Sequence, residues 1–151
     1  MRISVIEDDP DFQKILELIF LRNNWDYVFF NSGEDFVYNS YDVVIIDYQL
    51  PGEKGDVVLY DLATRVPKGT AIAMMSTSPE WVTEEIIDYA SCANLLDKGN
   101  LKSIEGWIER IDNRIKASDL INETRYSIHT MLKDLKDDNN RNEHLESRSG
   151  S

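Results

Sequence analysis

The stretch Asp42-Val43-Val44-Ile45-Ile46-Asp47-Tyr48-Gln49-Leu50-Pro51-Gly52 decides how this chain folds. Asp42 to Ile46 is a short, nearly continuous run of Val and Ile, the pattern of a strand covered on both faces in a parallel sheet. The run ends on an acid, Asp47, and the Pro-Gly that follows reads as a turn.

Similar runs flank it. Ile3 to Ile6, Trp25 to Phe30 and Ala71 to Met75 read as strands, and Asn94 to Leu96 as a weaker fifth. Helical spacing fills the intervals. Phe12, Ile15, Leu16 and Ile19 follow Asp9-Pro10, with Asp9 as N-cap and Pro10 at the first helical position. Gly33 to Tyr38 has room for only a short helix. Val57, Val58, Leu62 and Val66 mark a helix stopped at Pro67. Pro79 opens another, with Trp81, Val82, Ile86, Ile87 and Tyr89 toward the core. Leu101, Ile104, Trp107, Ile108, Ile111 and Ile115 form the clearest amphipathic stripe.

Five β-α repeats over residues 1–117 predict an α/β fold, a doubly wound parallel sheet with helices on both faces. The totals agree. The chain has 151 residues, of which 42% are hydrophobic and 29% charged, enough for one domain and a modest extension. No apolar run approaches the ~18 residues of a membrane span, and the N-terminus lacks a signal-peptide pattern, so a cytoplasmic location is expected. Cys92 is the single cysteine, which excludes an intramolecular disulfide. A net charge of −12 repels phosphate backbones and argues against direct binding of nucleic acid.

A doubly wound sheet places its reactive groups at the carboxyl ends of its strands. The first strand runs into Glu7-Asp8-Asp9, the third into Asp47, the fourth into Ser76-Thr77-Ser78 and the fifth into Asp97-Lys98. Two or three carboxylates with water are how proteins hold Mg²⁺, a hard ion that prefers octahedral oxygen ligands. A further carboxylate oxygen can then attack phosphorus, with a lysine and a hydroxyl stabilising the phosphoryl oxygens. Taken singly, each residue has an ordinary structural explanation. Asp9 caps a helix, an Asp before Pro-Gly is a turn residue, and a lone lysine is solvated. Each required group occurring once, in order, at one sheet edge favours a site.

At these residues the sequence resembles the receiver domain of two-component response regulators. The matching stretches are Ile3 to Pro10, Asp42 to Gly52 and, more weakly, Leu95-Leu96-Asp97-Lys98. The resemblance covers residues 1–117 and implies a five-stranded flavodoxin-like sheet of order 2-1-3-4-5. It implies Asp47 as phosphoacceptor and Mg²⁺ as cofactor, with Asp8, Asp47 and the main-chain carbonyl of Gln49 as ligands and Glu7 acting through water. Lys98 would pair with the phosphoryl group. Ser76 would supply the hydroxyl that follows it, with Thr77 as rival; Gln49 and Ser78 would tune the lifetime of the phosphorylated state. The implied partners are a histidine kinase or phosphotransfer protein and a downstream protein target. The implied role is a phosphoacceptor switch with, at most, Mg²⁺-dependent autophosphorylation and autodephosphorylation. Two positions depart from the family: Gly99 replaces the usual proline after the lysine, and Leu95 replaces the usual aromatic three residues before it. The usual hydroxyl-aromatic relay therefore lacks its aromatic member.

Residues 118–151 lie outside the resemblance. Leu120, Ile121, Ile128, Met131, Leu132 and Leu135 fit one face of a helix over about 118–138, ending near Asp137-Asp138-Asn139-Asn140. That helix either packs on its own domain or serves association, a homodimer through the fifth helix and tail included. His129 reads as a surface histidine, and the last residues as a flexible end. Two alternatives to a phosphorylated switch stand beside it: a small Mg²⁺-dependent phosphohydrolase, and a receiver-like scaffold that never uses its phosphorylation site.

Overall fold

The computed structural model describes residues 1–79 and 93–150. It forms two compact units, Met1–Asp112 and Asn113–Ser151.

In the first unit, strand β1 (Arg2–Ile6) leads to helix α1 (Pro10–Arg22) and then to β2 (Asp26–Phe30) and β3 (Val43–Asp47). Two short strands, β4 (Gln49–Leu50) and β5 (Glu53–Lys54), precede helix α2 (Gly55–Arg65). β6 (Ala71–Ser76), β7 (Ala93–Asp97) and helix α3 (Leu101–Ser149) complete the elements of the described residues. β2-β1-β3-β6-β7 form one parallel sheet. Setting aside the β4–β5 hairpin, that is the expected order 2-1-3-4-5.

The central strands explain the sequence pattern. All five residues of β3 are buried, as are Ile3, Val5 and Ile6 of β1 and Ile72 to Ser76 of β6. A strand buried on both faces has no polar side to alternate with, so its sequence is a continuous apolar run. Helix α1 starts as the sequence dictates: the Asp9 side chain accepts from the amide of Asp11 at 2.9 Å, and Pro10 opens the first turn. Helix α2 ends at Arg65, with Val66 already extended before Pro67. Ile104, Trp107, Ile108 and Ile111 of α3 are buried as their stripe predicts.

Two expectations need correction. No helix forms over Gly33–Tyr38; a turn at residues 33–35 gives way to irregular chain. Phe36 and Tyr41 from this connection pack with Phe30 at ring separations of 5.2 to 6.4 Å, and Ser40 takes a positive φ of 50°. Aromatic burial, which needs no regular backbone, covers the sheet here instead. Secondly, α3 continues through Asp137-Asp138-Asn139-Asn140 to Ser149. Asp and Asn are indifferent helix formers, costing about 0.7 kcal/mol at most, and no Gly or Pro interrupts the helix after Gly106. The helix expected after Pro79, with Trp81 to Tyr89, lies outside the described residues.

In the second unit every residue from 116 to 150 is exposed. No helix among the described residues is long and apolar enough to cross a membrane.

Candidate functional site

The carboxyl ends of β1, β3, β6 and β7 meet at one edge because the strands are parallel and in register. Backbone bonds extend the sheet just past those ends: the amide of Glu7 donates to Phe30 O, that of Tyr48 to Met75 O and that of Lys98 to Ser76 O, each at 2.9 Å. The residues that follow the strands are thereby held as firmly as the strands.

Glu7, Asp8 and Asp47 each direct a carboxylate oxygen into one cluster, all within 4.8 Å of one another. Glu7 is fully buried, Asp47 nearly so, and Asp8 half-buried. Lys98 reaches across from β7. Its Nζ lies 2.6 Å from Glu7 Oε2 and 3.2 Å from Asp47 Oδ2. Glu7 Oε1 accepts from the amide of Asp9 at 2.9 Å, tying the acid to the start of α1. Among the described residues Oε2 meets no aligned hydrogen-bond donor, and the ammonium is its partner as a charge.

Asp47 is fixed by its surroundings. The Gln49 amide donates to its Oδ1 at 3.3 Å. Leu50-Pro51-Gly52-Glu53 turns the chain back, with φ +76° at Gly52, which suits a type II turn with Pro at the second position and Gly at the third. The resulting hairpin brings Gly55 against the strand end, where a Cβ would stand 2.3 Å from Asp47 O and 2.7 Å from Tyr48 Cα. Only glycine fits that approach.

Burial pushes the Glu7 carboxyl up from its ordinary range, and the neighbouring Asp47 adds to this, against the pull of Lys98 and the Asp9 amide. Burial likewise raises Asp47, with Asp8 adding repulsion, while Lys98 and the Gln49 amide oppose. For Lys98, burial works against the charge, but Glu7 and Asp47 together outweigh it and the ammonium is held above its ordinary value. The cluster carries three carboxylates and one ammonium, a surplus of negative charge that suits a divalent cation. The donors are all oxygen, and Glu7 Oε2 is a buried acceptor that a cation's water could serve. Glu7, Asp8 and Asp47 stand where they could hold a divalent cation such as Mg²⁺.

Ser76 and Thr77 separate in the structure. Ser76 ends β6, buried, its Oγ accepting from the Ser78 amide at 3.0 Å; Thr77 is exposed. Leu95 is half-buried and packs against the core that contains Ile46 and Met74. One neighbour of the site escaped the sequence reading: the ring of Phe12 lies 4.6 Å from Lys98 Nζ, a cation–π contact. Phe12 read as part of the core stripe of α1; its nearness to the acids in sequence was the available signal.

No protein-family model matches the sequence, and no curated protein sequence matches it significantly. Solved structures do match. The chemotaxis protein CheY4 of Vibrio cholerae superposes with a TM-score of 0.65 at 15% identity, over 73% of this chain and 97% of that one. A two-component response regulator from Clostridium difficile gives 0.66 at 16% identity, over 76% and 98%. The Thermotoga maritima response regulator TrrA, in complex with Mg²⁺ and BeF, gives 0.63 at 19% identity, over 73% and 97%. The chain has the fold of CheY-like receiver domains.

Proposed function

We propose that this chain is a response-regulator receiver, residues 1–117, that accepts a phosphoryl group on Asp47. The observation that carries the reading is the position of Lys98, within 3.2 Å of both Asp47 and the fully buried Glu7, beside a three-carboxylate cluster on a receiver-type sheet edge. In such a reaction an Asp47 carboxylate oxygen forms the new bond to phosphorus. The bond from phosphorus to its donor breaks, and the donor keeps the electron pair: a histidine nitrogen in a phosphorylated kinase or phosphotransfer protein, or the acetate oxygen of acetyl phosphate. Lys98 moves from its carboxylate partners toward the incoming phosphoryl oxygens, and the Ser76 hydroxyl, rather than that of Thr77, donates to another. Mg²⁺ bound by Asp8, Asp47 and the Gln49 carbonyl, with Glu7 through water, would supply positive charge for the remaining oxygens.

Output would pass through protein contacts in the cytoplasm rather than through nucleic acid, given the charge of −12. Leu95 already packs against the core, so the change would spread by repacking around β6 and β7 rather than by the swing of an aromatic ring. The reading is tested by incubating the protein with acetyl phosphate and Mg²⁺ and measuring intact mass. Addition of one phosphoryl group, abolished by Asp47→Ala and by chelation, is expected. No addition would mark a scaffold that does not use the site, and sustained turnover of varied phosphate esters would mark a hydrolase.

A further inference from the structure

We propose that the second unit, Asn113–Ser151, pairs with the same segment of a second copy of this chain through a helical seam. Ile121, Ile128 and Leu135 recur every seven residues, with Met131 between them and Leu120 and Leu132 on the flanks. That is the spacing by which one helix keeps a single face toward another. These six side chains are 52–65% exposed, although each belongs to a residue type that folding normally buries.

The area suits a partner of equal size. Six such side chains present on the order of 600 Å² of apolar surface per helix, close to the ~800 Å² each partner contributes to a stable interface. A patch of this extent on a soluble chain marks an interaction site. A helical segment exposed on every side, as α3 is from residue 116 onward, also lacks the packing that supplies most helical stability in proteins.

The charge distribution favours a second copy as the occupant. Residues 118–151 carry 7 acids and 5 bases, so two such segments meet almost without repulsion, whereas most of the chain's net −12 lies in the preceding residues. The seam from Leu120 to Leu135 contains no charged residue along Ile121, Thr124, Ile128 and Met131, and charges of both signs border it, Arg125 and Asp134 among them. Asp138 interrupts the stripe, which confines the seam to roughly four turns before it. A self-complementary apolar line of this kind matches its own copy, as an isologous contact requires. The inference does not depend on phosphorylation of Asp47.

Sedimentation equilibrium on the full chain tests it. A dimer that dissociates on dilution is expected, with Ile128→Lys and Leu135→Lys each raising the dissociation constant at least tenfold. Tyr126→Lys, at an exposed position on the other face of the helix, should leave it unchanged. All three positions are exposed, so the melting transition of the first unit serves as a fold control and should not move. A wild-type chain that stays monomeric up to high concentration, or a dimer indifferent to both seam substitutions, would overturn the proposal and leave the stripe to a different protein.

Discussion

Lys98 and Glu7 are joined across 91 positions of sequence: the lysine Nζ stands 2.6 Å from Oε2 of an acid that is completely buried. Such a pair is not placed there for stability alone, since burying two charges costs several kcal/mol before their attraction repays it. On the function proposed above, the lysine rests on these carboxylates until a phosphoryl group arrives. The partial exposure of Lys98 and its second contact, with Asp47 at 3.2 Å, keep it within reach of solvent and of the proposed phosphoacceptor.

Removing the ammonium should therefore expose the cost it hides. Lys98→Ala leaves Glu7 and Asp47 facing each other without compensation, and the loss of one member of a buried pair destabilises by about 3 kcal/mol. Because both carboxyls are already raised by burial, each can take up a proton instead, so the loss should be smaller at pH 5 than at pH 8. Urea denaturation at the two pH values measures this. Equal losses at both would mean that the pair is not the cause.

The same shifts fix a pH dependence for the metal-free protein. Glu7 and Asp47 have folded-state values raised above their ordinary 4.5 and 3.8. Their contribution to stability is thus fully present below those ordinary values and is lost as pH rises through the raised ones. Lys98 is raised too, so its contribution persists through neutral pH and is lost only above its ordinary 10.5. Mg²⁺ held by the ionised carboxylates, as proposed above, would reverse the loss, with an effect that grows over the same acidic-to-neutral window. Melting temperatures with and without Mg²⁺ between pH 4 and pH 8 check the sign. A Mg²⁺ effect that shrinks as pH rises would contradict the carboxylate assignment.

Asp8→Asn separates stability from function. Asp8 adds repulsion to Asp47, so neutralising it should stabilise the metal-free protein at neutral pH by about 1 kcal/mol. It should also abolish the stabilisation by Mg²⁺. Thermal denaturation of the variant with and without Mg²⁺ reads both effects at once, and a variant still stabilised by Mg²⁺ would remove Asp8 from the ligand set.

Gly55→Ala tests the hairpin that holds Asp47. The new Cβ would meet backbone atoms at 2.3 and 2.7 Å, which no rotamer change relieves. Overpacking of this kind costs on the order of 2 kcal/mol and should displace the strand end, lowering phosphorylation beyond any effect on stability. Gly69→Ala, where a Cβ meets nothing within 4 Å, is the control and should be neutral or slightly stabilising. Denaturation midpoints and the rate of phosphoryl incorporation compare the two.

Ser76→Ala and Thr77→Ala should behave differently. Ser76 is buried at the end of β6, while Thr77 faces solvent. Loss of the Ser76 hydroxyl is expected to change the lifetime of the phosphorylated protein several-fold, and loss of the Thr77 hydroxyl to leave it unchanged. The decay of phosphorylated protein, followed by mass, distinguishes them. The reverse pattern would transfer the role to Thr77.

Much of the sheet was legible because burial on both faces writes itself as uninterrupted Val and Ile, clearest in Val43 to Ile46. The acids were legible because each follows a recognisable strand, and Asp47 more so because the Pro51-Gly52 turn after it is demanded by the geometry there. The β4–β5 hairpin was not, since two-residue strands are shorter than any periodicity. Nor was the fate of residues 33–41, where Phe36 and Tyr41 could be buried by a helix or by an irregular loop with equal economy of sequence. The Lys98–Glu7 pair and the contact of Phe12 with Lys98 join residues far apart in sequence. Local pattern carries no record of such contacts, and only the assembled sheet edge brings them together.

The most direct measurement of the phosphoacceptor is chemical trapping. After treatment with acetyl phosphate and Mg²⁺, borohydride reduction converts an aspartyl phosphate to homoserine, and peptide sequencing by mass spectrometry locates it. Homoserine at position 47, dependent on Mg²⁺ and absent in Asp47→Ala, is the expected result. Homoserine at Asp8 or another aspartate, or none under conditions where the protein is folded and binds Mg²⁺, would contradict the assignment of Asp47.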